Sequence, residues 1–194
     1  MNKNRLESFS DGVIAIIITI MVLQLGIPHS SELNALYPLI PIILGYVLSF
    51  IYVGIYWNNH HHLLQTLNNV SGKILWINLL FLFWLSLFPF TTSWMAENHF
   101  KTWPTILYGI ILLMAALSFY LLQHEIIKSE GKKSILKKAV GHNYKEKTSL
   151  ICYILAIGFA FVIPHISQIL YILVALFWFI PDRRIEKILN QRKS

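Results

Sequence analysis

"RLESFSDGVIAIIITIMVLQL", residues 5–25, sets an arginine, a glutamate and an aspartate at the threshold of an almost unbroken isoleucine run. The rest of the chain has the same character: 56% of its 194 residues are hydrophobic and 13% are charged. Soluble domains hold about 45–50% apolar and about 25% charged residues, so this much apolar surface has too little polar cover for water. The excess falls in long blocks, the pattern of membrane-crossing helices. The expected fold class is therefore an all-α integral membrane protein, with residues 1–194 forming one domain.

A crossing takes about 20 mostly apolar residues. Six blocks are expected as spans, at Leu6–Ile27, Tyr37–Leu64, Ile74–Met95, Thr105–Ile127, Leu150–Pro164 and Ile166–Pro181. The last two are short and read as a tight hairpin turning at Pro164 and His165. Pro38, Pro41 and Pro104 sit near helix starts, where a missing N–H costs little, while Pro89 predicts a kink in the third span. Lys3 and Arg5 ahead of an apolar run imitate a signal peptide, but no small-x-small site precedes Pro28, so the segment is read as retained.

The formal net charge of +7 raises nucleic acid as a partner, and its placement argues against one. With six spans, every Lys and Arg except Lys101 falls on the side that carries both termini. Positive-inside bias makes that side cytoplasmic. "KKSILKKAVGHNYKEK" and "RRIEKILNQRKS" then read as caps facing anionic lipid. Ile185, Ile188 and Leu189 share a helical face, so the tail is expected to continue the sixth helix.

On a wheel of about 100° per residue, Ile16, Ile20, Leu23 and Ile27 fall within about 40° of Phe9. Gly12 and Thr19 flank that stripe, and Asp11 lies about 160° away with Glu7 and Ser10 in its half. A carboxylate in a membrane needs a partner, and Arg5 is on another face, so Asp11 is expected to find one on a neighbouring helix. "WNNHHH", residues 57–62, and "KILWIN", residues 73–78, are the candidates at the same level. The aliphatic stripe suits packing, or a pore that closes by dewetting.

"RLESFSDGVIAIIIT", with Arg5, Phe9, Ser10 and Asp11 in an R-x-x-x-F-S-D pattern, resembles the opening of bacterial members of the transmembrane protein 175 potassium-channel family. "HHHLL" and "NLLFLFWLSLFPF" also look like it. The resemblance implies a homotetramer of six-helix subunits with the first helix around a central pore. It implies a hydrophobic gate at Ile16, Ile20 and Leu23 and a selectivity layer at Thr19. It implies passive passage of K+ and other monovalent cations, with no cofactor, in a bacterial inner membrane. Ala15 stands where the animal member has a hydroxyl residue in one repeat, which implies only a modest preference for K+ over Na+. The R-x-x-x-F-S-D residues become a structural polar network joined by His60, His61, Trp76 and Asn78. The alternatives are a proton-coupled transporter using Asp11 and the histidines, or a non-conducting scaffold.

"VGIY", residues 53–56, echoes a potassium filter but sits mid-helix, where its carbonyls are already bonded. Three consecutive histidines point about 100° apart and cannot all face one metal ion, so no metal site is expected. Tyr37, Trp94, Trp103 and Tyr108 are expected at one membrane interface, and Glu97 and Glu125 are expected to be solvated. No catalytic triad, phosphate loop or paired-carboxylate site stands out, so the chain is not read as an enzyme.

Overall fold

The structure is a computed structural model that describes residues 2–131 and 144–179. Its described residues form seven α-helices: α1 Lys3–Leu23, α2 Ile40–Gln65, α3 Gly72–Ser86, α4 Phe88–Glu97, α5 Thr102–Glu130, α6 Tyr144–Ala160 and α7 Pro164–Phe179. They make six rods, because α3 and α4 are one span, Gly72–Glu97, broken at Leu87. Pro89 lies in the first turn of α4, so the expected kink falls just ahead of it. Four rods are long and apolar enough to cross a membrane, and α7 is a shorter apolar helix.

Several boundaries differ from expectation. The first helix ends at Leu23, not Ile27, because Gly26 takes a positive φ of 72° and turns the chain. Ile27 therefore lies beyond the helix. A 3-10 turn, Leu33–Leu39, precedes α2 and contains Pro38. The last hairpin turns at 161–163, one step earlier than expected, and Pro164 opens α7. The expected basic caps, apart from their last residues at the start of α6, and the tail's helical continuation lie outside the described residues.

Helix packing relies on small residues and hydroxyls, as expected where apolar contact gives no preference over lipid. A Cβ built on Gly109 would collide with the Tyr171 hydroxyl. Tyr171 donates to the Thr105 carbonyl at 3.1 Å, and its own carbonyl accepts from Tyr52 at 2.5 Å, tying α2, α5 and α7 together. Ser167 donates to the Ala156 carbonyl at 2.6 Å across the hairpin. Tyr108 is fully buried and hydrogen-bonds Ser49, so it is a core residue and not an interface anchor. Glu125 is largely buried and pairs with Lys73 at 2.6 Å, which corrects its expected solvation and joins α3 to α5.

Candidate functional site

The two faces of α1 have opposite fates. Leu6, Ser10, Ile14, Ile17 and Met21, spaced by three or four, are buried against α2, α3 and α4. The other face is left open by the other described helices. Ile16 is 60% exposed and Leu23 75% exposed, with Phe9, Gly12, Thr19 and Ile20 also exposed. The Thr19 hydroxyl donates to the Ala15 carbonyl at 2.9 Å. Its proton is thereby committed, and its oxygen lone pairs remain for an outside donor or cation.

A polar ladder fixes the rotation of α1. Lys3, Glu7 and Asp11 are spaced by four, and so are Trp57, His61 and Gln65 on α2, so each set lies on one helical face. The helices run antiparallel and the sets meet in register. The Asp11 carboxylate accepts from the Trp57 indole at 2.9 Å, Glu7 meets His61 at 2.9 Å, and Lys3 donates to the Gln65 carbonyl at 3.0 Å. Gln65 also closes back onto His61 at 2.7 Å. Deeper in, Asn78 of α3 donates to Ser10 at 3.0 Å and meets His60 at 2.7 Å, with all three side chains buried. The Ser10 hydroxyl itself donates to the Leu6 carbonyl at 2.8 Å. At the other end, Ser93 of α4 donates to Gln24 at 2.8 Å, just past the last turn of α1.

The structure therefore brings Ser10, Asp11, His60, His61 and Asn78 together around α1. It does not bring in Arg5, Phe9 or Trp76. The Arg5 side chain is exposed, and no hydrogen bond or ion pair joins it to other described residues. Phe9 stands on the open stripe, and Trp76 is 75% exposed on the outward face of α3. Trp57 belongs to the stretch expected to partner Asp11, and it does so. Glu7, Gln65 and the Gln24–Ser93 contact were not among the expected network residues, and the matching four-residue spacing on α1 and α2 was the available signal for the first two. Among the described residues no group of three or more His, Cys, Asp or Glu side chains is placed to hold a metal ion.

Residues 5–89 match the family model described as the endosomal/lysosomal potassium channel TMEM175. A potassium channel of Chryseobacterium sp. (strain P1-3) is 53% identical over 191 residues, covering 98% of this chain and 100% of that protein. An endosomal/lysosomal proton channel TMEM175 of Danio rerio is 26% identical over 205 residues, covering 93% of this chain and 36% of that longer protein. The crystal structure of a lysosomal potassium-selective channel TMEM175 homolog from Chamaesiphon minutus has a TM-score of 0.78 at 24% identity, covering 93% of this chain and 97% of that one. That last likeness is one of fold.

Proposed function

We propose, from the premise that this chain belongs to the TMEM175 family, that four copies enclose a passive cation pathway lined by the open face of α1. At the coarser level the protein is a potassium channel of that family, a multi-pass membrane protein and not an enzyme. The finer reading is a homotetramer in a bacterial inner membrane, with residues 1–194 as a single six-span domain and both termini cytoplasmic. Ile16, Ile20 and Leu23 form the gate, and Thr19 forms the layer that favours K+ modestly over Na+.

The observation that carries this reading is the exposure of Ile16, Ile20 and Leu23 on a helix whose opposite face is buried. A ring of branched aliphatics excludes water from a narrow passage, and ions stay out with the water until it widens. Widening needs α1 to turn or tilt, and the ladder to α2 and α3 sets the angle from which it turns. In this role Asp11 is a structural acid held by an indole, not a carrier. Thr19 presents hydroxyl oxygens without charge, a weak field that suits a partly dehydrated monovalent cation. Ala15 adds no second hydroxyl layer, which keeps the preference modest.

Liposomes loaded with K+ and bearing the purified chain test the proposal together with planar-bilayer recording. Discrete conductance steps carried by K+ without a proton gradient are expected. Absence of flux would leave a scaffold, and saturable flux that requires a proton gradient would replace the channel with a transporter. The name of the Danio rerio relative favours one addition, that protons share the same passage. A shift of reversal potential with pH at fixed K+ measures it.

A further inference from the structure

At the end of the bundle away from the amino terminus, the turn between α4 and α5 faces the start of α7 across a cleft of 680 Å³. Its lining includes His99, Lys101, Thr102, Trp103 and His165. No Asp or Glu lines it, and Glu97, the acid nearest in sequence, is exposed outside it. The cleft is held from both sides: Gln168 of α7 donates to the Phe100 carbonyl at 3.2 Å, and Trp103 meets Phe161 edge-on at 5.9 Å.

The chemistry of this lining is one-sided. Lys101 is the single Lys or Arg that the charge pattern puts on this side of the membrane. His99 offers a ring N–H, Thr102 offers a hydroxyl, and the indoles offer N–H groups but no acceptor, while His165 gives its Nδ1–H to the Gln168 amide oxygen at 3.3 Å. No side chain caps α5, and with Pro104 third in the helix only the Thr102 and Trp103 amides of its first three residues are open at this end. Tryptophan at a span end is the usual marker of headgroup depth, and Trp103 is well exposed there. A cleft of donors with a fixed positive charge, rimmed by indoles at that depth, recognises a phosphate group.

We infer that this cleft, built on Lys101, His99 and Thr102, is a binding site for a phosphate-bearing anion. An anionic phospholipid headgroup and free phosphate share that chemistry, and the pore reading is not needed for either. The site lies off the stripe of α1, so its occupancy and ion conduction are read separately.

Native mass spectrometry of the purified full chain, with dioleoyl-phosphatidylglycerol or dioleoyl-phosphatidylcholine added, tests the lipid source. Thermal shift in detergent with inorganic phosphate tests the free anion. A Lys101→Gln/His99→Gln variant and a Lys101→Arg variant are run beside the wild type. Preference for the anionic lipid that falls about fivefold or more in the glutamine variant with the loss of the Lys101 charge, and is kept by Lys101→Arg, supports the site with lipid as the source. No lipid preference, with a phosphate-induced shift that the glutamine variant loses, supports it with free phosphate as the source. Equal behaviour of the glutamine variant and the wild type with both probes overturns it. So does loss in Lys101→Arg as large as in the glutamine variant. Lys101→Gln alone, on an exposed residue, is the second variant that keeps the test open if the double variant expresses poorly.

Discussion

Asn78→Leu removes the bridge between α1 and α2 while keeping a branched side chain of the same number of heavy atoms. Asn78 is fully buried, donating to Ser10 at 3.0 Å and meeting His60 at 2.7 Å. Ser10 keeps its bond to the Leu6 carbonyl, so it loses only an acceptor role. His60 is 1% exposed and loses the one polar partner of its Nε2. In a soluble core an orphaned polar group costs about 1–3 kcal/mol. Between membrane helices the measured coupling of such pairs averages about 0.6 kcal/mol and reaches about 1.7, because the unfolded helices also find partners. The lower range governs here, since the bridge joins three spans inside the bundle. A double-mutant cycle of Asn78→Leu with His60→Leu, read by thermal or detergent unfolding of the purified protein, should therefore give a coupling of about 0.6–1.7 kcal/mol. If the same energy holds α1 in its closed rotation, Asn78→Leu raises the open-to-closed ratio about 3- to 18-fold in bilayer recordings. Strict additivity of the two substitutions, with unchanged open probability, would refute the claim that this bridge sets the angle of α1.

Ile16→Asn places an amide in the proposed constriction, and the loss of about 2 kcal/mol of apolar character per subunit should raise K+ leak about tenfold or more in liposome flux. Thr19→Ala removes the hydroxyl oxygens, and the reversal potential under opposed K+ and Na+ should move toward a permeability ratio of one, while thermal stability changes little because the hydroxyl's bond among the described residues is to its own helix. Gly109→Ala drives a methyl into the Tyr171 hydroxyl and Ile157, and should lower unfolding stability by about 1–3 kcal/mol without changing selectivity, since the contact joins α5 to α6 and α7 away from α1.

The two-faced first helix was legible because its apolar and polar residues follow the helical period over five turns. The spacing also held the ladder: Lys3, Glu7 and Asp11 repeat by four, and so do Trp57, His61 and Gln65. Reading the register between two helices takes their antiparallel pairing as well, which the order of spans supplies but a single-helix wheel does not. Tyr108 was misplaced because an aromatic near a span end fits either the headgroup belt or a core, and only its contact with Ser49 decides. Glu125 was misplaced for a related reason: its partner Lys73 lies 52 residues away, beyond any local pattern. The end of α1 was overrun because apolar periodicity continues to Ile27 while the backbone turns at Gly26.

Exposure of a stripe suits lipid as well as a passage, so its composition has to discriminate. The open face of α7 shows what this chain offers to hydrocarbon: Ile169, Ile172, Leu173, Leu176 and Phe177, large side chains with no hydroxyl and no small residue among them. The open face of α1 is different. Gly12 has nothing within 4 Å of an added Cβ, Ala15 and Thr19 are exposed beside it, and the aliphatics sit between them. Small residues on a membrane helix permit backbones to approach closely, and hydroxyl groups find partners there that lipid tails do not supply. A helix with bulky residues turned to the lipid gains nothing from such gaps, whereas helices converging on an axis need them where they come nearest. The anchored opposite face, fastened at Ser10, Asp11 and Gln24, keeps that mixed stripe facing one way along its whole length. Directional fastening on one face and mixed small and branched residues on the other support convergence of copies on α1, and α1 as the helix whose rotation opens the path.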